Sequence, residues 1–222
     1  TLSDIVLVET KQTLLSWRAS KSETELRDLD WQVCSKGRKS GEAGGGVWVV
    51  AKGEGTELVP FHHDSNVEDD GMESEDLALQ ELAAAFVRPA GAVEWVAVMG
   101  IYVSNSPHKR MYRRASLNGV LKMKHLMQQK ATDEGMKISH FEIVGDLNMR
   151  LTKKERFRLE FQDWEEEDFI DDADIRWNDE ATSGTYSSNE MATVRQWIDE
   201  GFKIVNGRLP YDNGDPTRAP FQ

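Results

Sequence analysis

Apolar residues in this chain gather in runs of strand length, and no run is long. That restricts it to folds assembled from short strands. Asp4–Val8 (DIVLV) is β-branched and reads as a buried strand, and Trp31–Ser35 reads as a second. Val47–Ala51 and Glu57–Phe61 flank Gly53 and Gly55 and read as a hairpin. Val93–Val103 is the strongest strand pattern. His140–Val144 is another, stopped by Gly145-Asp146, and Phe202–Val205 is the last. Helices are expected over Glu23–Leu29, over Arg110–Glu134 with Leu117, Val120, Leu121 and Met127 near one face, and over Asn189–Glu200. Gly135 and Gly201 stand just past the last two, and Ser188 is placed to cap the third. Thr152 with Glu155 fits a capping box opening a short helix. Leu77–Val87 is ambiguous, because its alanines favour a helix by propensity. Strands joined by hairpins, with helices between strand groups, predict an α+β layered sandwich rather than a doubly wound parallel sheet.

A chain of 222 residues is long enough for one domain with a sizeable core. We expect a single domain over residues 1–222 with acidic insertions near 62–76 and 163–183. No apolar run approaches the ~20 residues needed to span a bilayer, so no membrane partner is expected. The first residues lack a basic start and a small-residue cleavage site, so they do not read as a signal peptide. The single cysteine, Cys34, allows no internal disulfide and suits an intracellular setting, nuclear or cytoplasmic. A net charge of −12 argues against non-specific nucleic-acid binding. The acid is uneven, however, concentrated in Asp64–Asp76 and Asp163–Glu180, while His108–Arg114 is basic through Lys109, Arg110, Arg113 and Arg114. Cations at a helix start oppose the macrodipole, and a phosphate partner would offset that; a solvated helix start fits equally. The acidic loops fit either a protein partner or a solvated insertion.

Three segments carry chemistry. In Phe141–Leu151 (FEIVGDLNMRL) a strand runs into Gly-Asp-x-Asn. Asp146 and Asn148 then project the same way by period-two geometry, with Gly145 permitting a sharp turn. A carboxylate and an amide side by side suit a phosphate site. The same residues also fit an ordinary Gly-Asp turn. In Asp4–Lys11 a strand ends in Glu9, an oxygen ligand for a hard cation or simply a solvated glutamate. In Met99–Ser106 (MGIYVSNS), Tyr102 stands in a strand leading to a polar loop, either within reach of a phosphate or as a core residue. His62-His63-Asp64 follows a strand and enters an acidic loop, which is not the helical context of an HD-type phosphohydrolase. Gly41–Gly46 is neither a phosphate loop nor a dinucleotide fingerprint, and no Gly-x-Ser-x-Gly is present.

Taken in order, strand-Glu-Thr at Glu9, Gly-Gly-Gly-Val at Gly44–Val47, strand-Tyr-Val-x-Asn at Tyr102 and Gly-Asp-x-Asn at Asp146 resemble the endonuclease/exonuclease/phosphatase (DNase I-like) family. The GGGVWVV strand and the tail Phe202–Thr217 (FKIVNGRLPYDNGDPT) look most like the endonuclease domains of non-LTR retrotransposons. The resemblance implies a four-layer α/β/β/α sandwich, incomplete here, and a strand over Leu82–Val87. It implies metal-dependent phosphodiester hydrolysis by a DNA endonuclease of retroelement type, with Mg²⁺ or Mn²⁺. Glu9 would bind the metal, and Asp146 would orient or activate the attacking water. Asn148 and Tyr102 would stabilise the pentavalent phosphorus. Thr217 would lie near the substrate strand. Lys109, Arg110, Arg113 and Arg114 are further candidates for phosphate or DNA contact on their charge alone, not by the resemblance. The family's first strand with its Asn precedes the position of Asp4, and its Ser-x-x-Asp strand and terminal Asp-His follow the position of Gln222. The chain as it stands has neither, and Val8 stands where the family usually has Gln. A binding or scaffold protein that kept the fold and lost catalysis is therefore the alternative, and a phosphatase of small phosphoesters a third reading.

Overall fold

Alternation along the strands decides how the chain is layered. The computed structural model describes residues 4–8, 21–36, 47–62, 82–103, 110–147 and 188–202. The chain divides into two compact units, Thr1–Asn148 and Met149–Gln222. In the first, β1 (Asp4–Val8), β2 (Gln32–Lys36) and β3 (Val47–Ala51) form an antiparallel sheet in the order β1-β3-β2. A second sheet has the order β4-β5-β6-β7, from β4 (Glu57–Phe61), β5 (Leu82–Arg88), β6 (Trp95–Tyr102) and β7 (Ile138–Asp146). Its first two pairings are antiparallel and β6 pairs with β7 in parallel.

The two sheets pack face to face. Cys34, Val47, Val49 and Ala51 from one meet Leu58, Ala83, Ala85, Val87, Val98 and Tyr102 from the other in one buried cluster. The alternate residues of the first sheet, Val33, Trp48 and Val50, turn to the opposite face, where Leu26 and Trp31 cover them. Leu26 belongs to α1 (Lys21–Asp28). The alternate residues of the second sheet, Leu82, Ala84, Phe86, Ala97, Met99 and Ile101, are also buried. They face away from the first sheet, and α2 (Arg110–Asp133) packs on β5, β6 and β7. Leu117, Val120, Met123, Met127 and Ala131 form its buried stripe, at helical spacing. The layers of residues 4–147 are therefore helix, sheet, sheet, helix, as expected.

β5 shows why propensity failed as a guide. LAAAFVR would make a good helix alone, yet Leu82–Val87 are all buried, with small alanines on both faces where the layers approach. Tertiary packing on two sides outweighs about 0.5 kcal/mol of propensity per residue. The expected hairpin between β3 and β4 does not form. The two strands lie in different sheets, and residues 52–56 carry the chain from one layer to the other. Pro60 is compatible with β4 because β4 is at a sheet edge.

In the second unit, α3 (Ser188–Asp199) buries Glu190, Thr193, Val194 and Trp197, one face at i, i+3, i+4, i+7. Ser188 is counted within the helix rather than before it. Thr152, Glu155 and the expected strand over 203–205 lie outside the described residues. No helix among the described residues is long and apolar enough to cross a membrane.

Candidate functional site

The β6–α2–β7 segment organises one end of the second sheet. Two neighbouring parallel strands need a crossover connection, and here that connection contains α2. The helix must carry the chain from the C-terminal end of β6 back to the N-terminal end of β7. It therefore starts at the end where the two strands finish. Arg110, Arg113 and Arg114 occupy the first turns of α2, whose first turn holds no acidic residue. Lys109 lies outside the described residues.

At that end Tyr102 and Asp146 are register partners, so their side chains leave the same face of the sheet. This is the face turned to the first sheet, since Tyr102 belongs to the inter-sheet cluster and is 7% exposed. Asp146 is half-buried. The Val103 N–H donates to the Asp146 carbonyl at 2.8 Å, which continues the ladder past the last paired residues. Gly145 sits inside β7, opposite Ile101, rather than in a turn after it. Its φ is +147°, and a Cβ placed there would stand 1.9 Å from the Ile101 carbonyl oxygen. The strand thus runs two residues further than its apolar pattern indicates.

The first sheet points its strands to the same end. The Gln32 side chain donates to Thr56 O at 2.6 Å and accepts from Leu58 N–H at 2.8 Å, placing the start of β2 over the start of β4. Cys34 Sγ reaches Ala84 O at 3.2 Å, so β2 advances in the direction in which β6 and β7 advance. Because β1 and β2 each pair antiparallel with β3, β1 shares that direction. Val6, Val49 and Cys34 form one row, level with Ala84, Met99 and Ile143. The next row but one ends β1 at Val8, toward the level of Ile101 and Gly145. β1 also packs against β6 and β7.

Of the residues singled out from the sequence, Tyr102 and Asp146 come together directly. Glu9, Asn148 and Thr217 lie outside the described residues, the first immediately after β1 and the second two residues after Asp146. His140 and Glu142 pair on exposed β7, with Nε2 and Oε1 2.8 Å apart, away from this end. Among the described residues no cluster of three or more His, Cys, Asp or Glu side chains could hold a metal ion. What sequence reasoning missed is a bulge in β7. Trp95 pairs with Ile138 but Val96 pairs with His140, leaving Ser139 as an extra residue.

No protein-family model matches the chain, and no curated protein matches it. Solved structures overlap it at low identity. ANGEL2, described as a 2′,3′-cyclic phosphatase, superposes with a TM-score of 0.43 at 13% identity, over 66% of this chain and 40% of that one. The human Nocturnin catalytic domain with bound sulfate gives 0.41 at 13% identity, over 72% and 56%. Truncated TDP2 of Caenorhabditis elegans gives 0.36 at 13% identity, over 67% and 50%. The overlap thus spans 40% to 56% of these solved chains. The layer order of residues 4–147 rests on the strands and helices described above.

Proposed function

We propose that this chain carries a metal-dependent phosphodiester-cleaving site at the shared C-terminal end of β1, β6 and β7. In this reading it resembles the endonuclease/exonuclease/phosphatase family and acts on DNA as a retroelement-type endonuclease. The observation that carries the reading is the pairing of Tyr102 with Asp146 on neighbouring parallel strands, at the end to which β1 also leads. Strand ends of this kind put polar groups at the rim of a rigid sheet, where a small displacement of a reacting group is resisted.

The residues have assigned roles. Glu9, directly after β1, holds the cation, and Asp146 orients or activates the attacking water. Asn148 and the Tyr102 hydroxyl stabilise charge on the phosphorus. The start of α2 with Arg110, Arg113 and Arg114, together with Lys109, draws the phosphate backbone by its dipole and its charge. By the resemblance alone, Thr217 would match a threonine near the substrate strand. The donor set suits a hard cation such as Mg²⁺ or Mn²⁺, because carboxylate oxygens and water are its preferred ligands. When bound, such an ion would neutralise charge developing on the phosphoryl oxygens.

A plasmid-nicking assay with Mg²⁺ tests this. Wild type should nick, while Glu9→Gln and Asp146→Asn should lose on the order of 10²-fold or more of the rate. Equal rates in all three proteins would remove the reading. The burial of Tyr102 in the inter-sheet cluster favours the second reading, a binding scaffold on the same layers, which predicts no nicking by any of them.

A further inference from the structure

We propose that Gly145 is a positioning residue: having no side chain, it lets β7 close against β6 at Ile101 and so holds Asp146 beside Tyr102. Its catalytic consequence rests on the phosphodiester reading above; its structural part does not. Two features of β7 support it independently. The first is the bulge. With regular pairing from Trp95–Ile138 onward, Gly145 would stand opposite Tyr102, and Asp146 would fall one place beyond with its side chain on the α2 face. Ser139 adds the residue that changes the phase, and its Oγ donates to Trp95 O at 3.1 Å.

The second is the contact at Ile101. A Cβ on residue 145 would come 1.9 Å from the Ile101 carbonyl oxygen and 2.9 Å from its carbonyl carbon. Both atoms are backbone in a central strand, so neither can turn aside as a side-chain end can. The φ of +147° adds strain for any L side chain. A one-residue slip of β7 would bring Val144 to this place, so the glycine also marks the register. Beyond it the Val103 N–H···O Asp146 bond closes the ladder at 2.8 Å. The bulge sets which way Asp146 faces, and the glycine lets the strands meet where it stands.

The test combines amide hydrogen exchange with turnover in the full chain. In wild type the Val103 amide should be protected to the same degree as Val98 in the middle of β6. In Gly145→Ala the Val103 amide should lose that protection while Val98 keeps it. With plasmid DNA and saturating Mn²⁺, kcat should fall on the order of 10²-fold, the effect of misplacing a reacting group by about 1 Å. Mn²⁺ affinity, set by Glu9, should not change. A wild-type Val103 amide that exchanges freely overturns the proposal without needing any variant. So does a Gly145→Ala protein with wild-type kcat, or one in which kcat, Mn²⁺ affinity and melting temperature fall together, since that marks general loss of fold. If wild type and Asp146→Asn are equally inactive, the phosphodiester reading fails, and the exchange of Val103 still decides the pairing by itself.

Discussion

Tyr102 shows how one residue can belong to two accounts. Its ring fills the cluster between the sheets, so the core role left open by the sequence is real. Its position opposite Asp146 follows from the register of β6 and β7, so the site role stays compatible with it. The two separate under Tyr102→Phe, which keeps the ring and removes the hydroxyl. Under the proposed function, nicking should fall about 10-fold or more, since one charge-stabilising hydrogen bond is lost. Stability should change by no more than about 1.5 kcal/mol, the ordinary net worth of a hydrogen bond. Urea denaturation beside the nicking assay reads both. An unchanged nicking rate assigns the tyrosine to the core alone.

At the scale of elements, the three helices among the described residues end alike. The Met136 N–H donates to Ala131 O and the Gly135 N–H to Thr132 O, and α3 repeats this with Phe202 to Trp197 and Gly201 to Ile198. Both glycines were legible as helix stops because a left-handed residue is cheapest without a Cβ. In α1 the same pair of bonds runs from Trp31 to Leu26 and from Asp30 to Arg27, but the left-handed position is Asp30, at φ 62°. Nothing in the composition of Asp30 signals that role as glycine does. Its geometry is held by the packing of Leu26 and Trp31 against Val33, Trp48 and Val50. Asp30→Gly should therefore stabilise the protein, by about 0.5–1 kcal/mol, by relieving the left-handed strain. A thermal melt that shows no gain, or a loss, would mean that the aspartate side chain contributes more than the strain costs.

Over the whole molecule, the net charge of −12 and the basic start of α2 oppose each other. Under the proposed function a polyanionic substrate would be repelled by the first and drawn by the second, and a divalent cation would tip the balance locally. Under the proposed function, EDTA should abolish nicking, and Mg²⁺ or Mn²⁺ should restore it. The same ions should raise the melting temperature of wild type, because a ligand bound to the native state stabilises it. Glu9→Gln should lose that rise. A melting temperature indifferent to the ions would remove the metal from the account.

The sequence by itself determined most of the inventory: every described strand, with α2 and α3, stands within a few residues of an apolar run or a periodic stripe, because burial demands that patterning at short range, whereas α1 (KSETELRD) has only Leu26 to bury. It also marked Tyr102 and Asp146 as polar residues near strand ends, but it stopped β7 two residues early, before Gly145. Tertiary structure decided what local pattern cannot carry. It made Leu82–Arg88 a strand by burying both its faces, sent β3 and β4 to different sheets, and inserted the bulge at Ser139 that brings Asp146 opposite Tyr102. Those outcomes depend on which strand pairs with which, and pairing is set by contacts between residues distant in the chain, where the periodicity of one segment has no say.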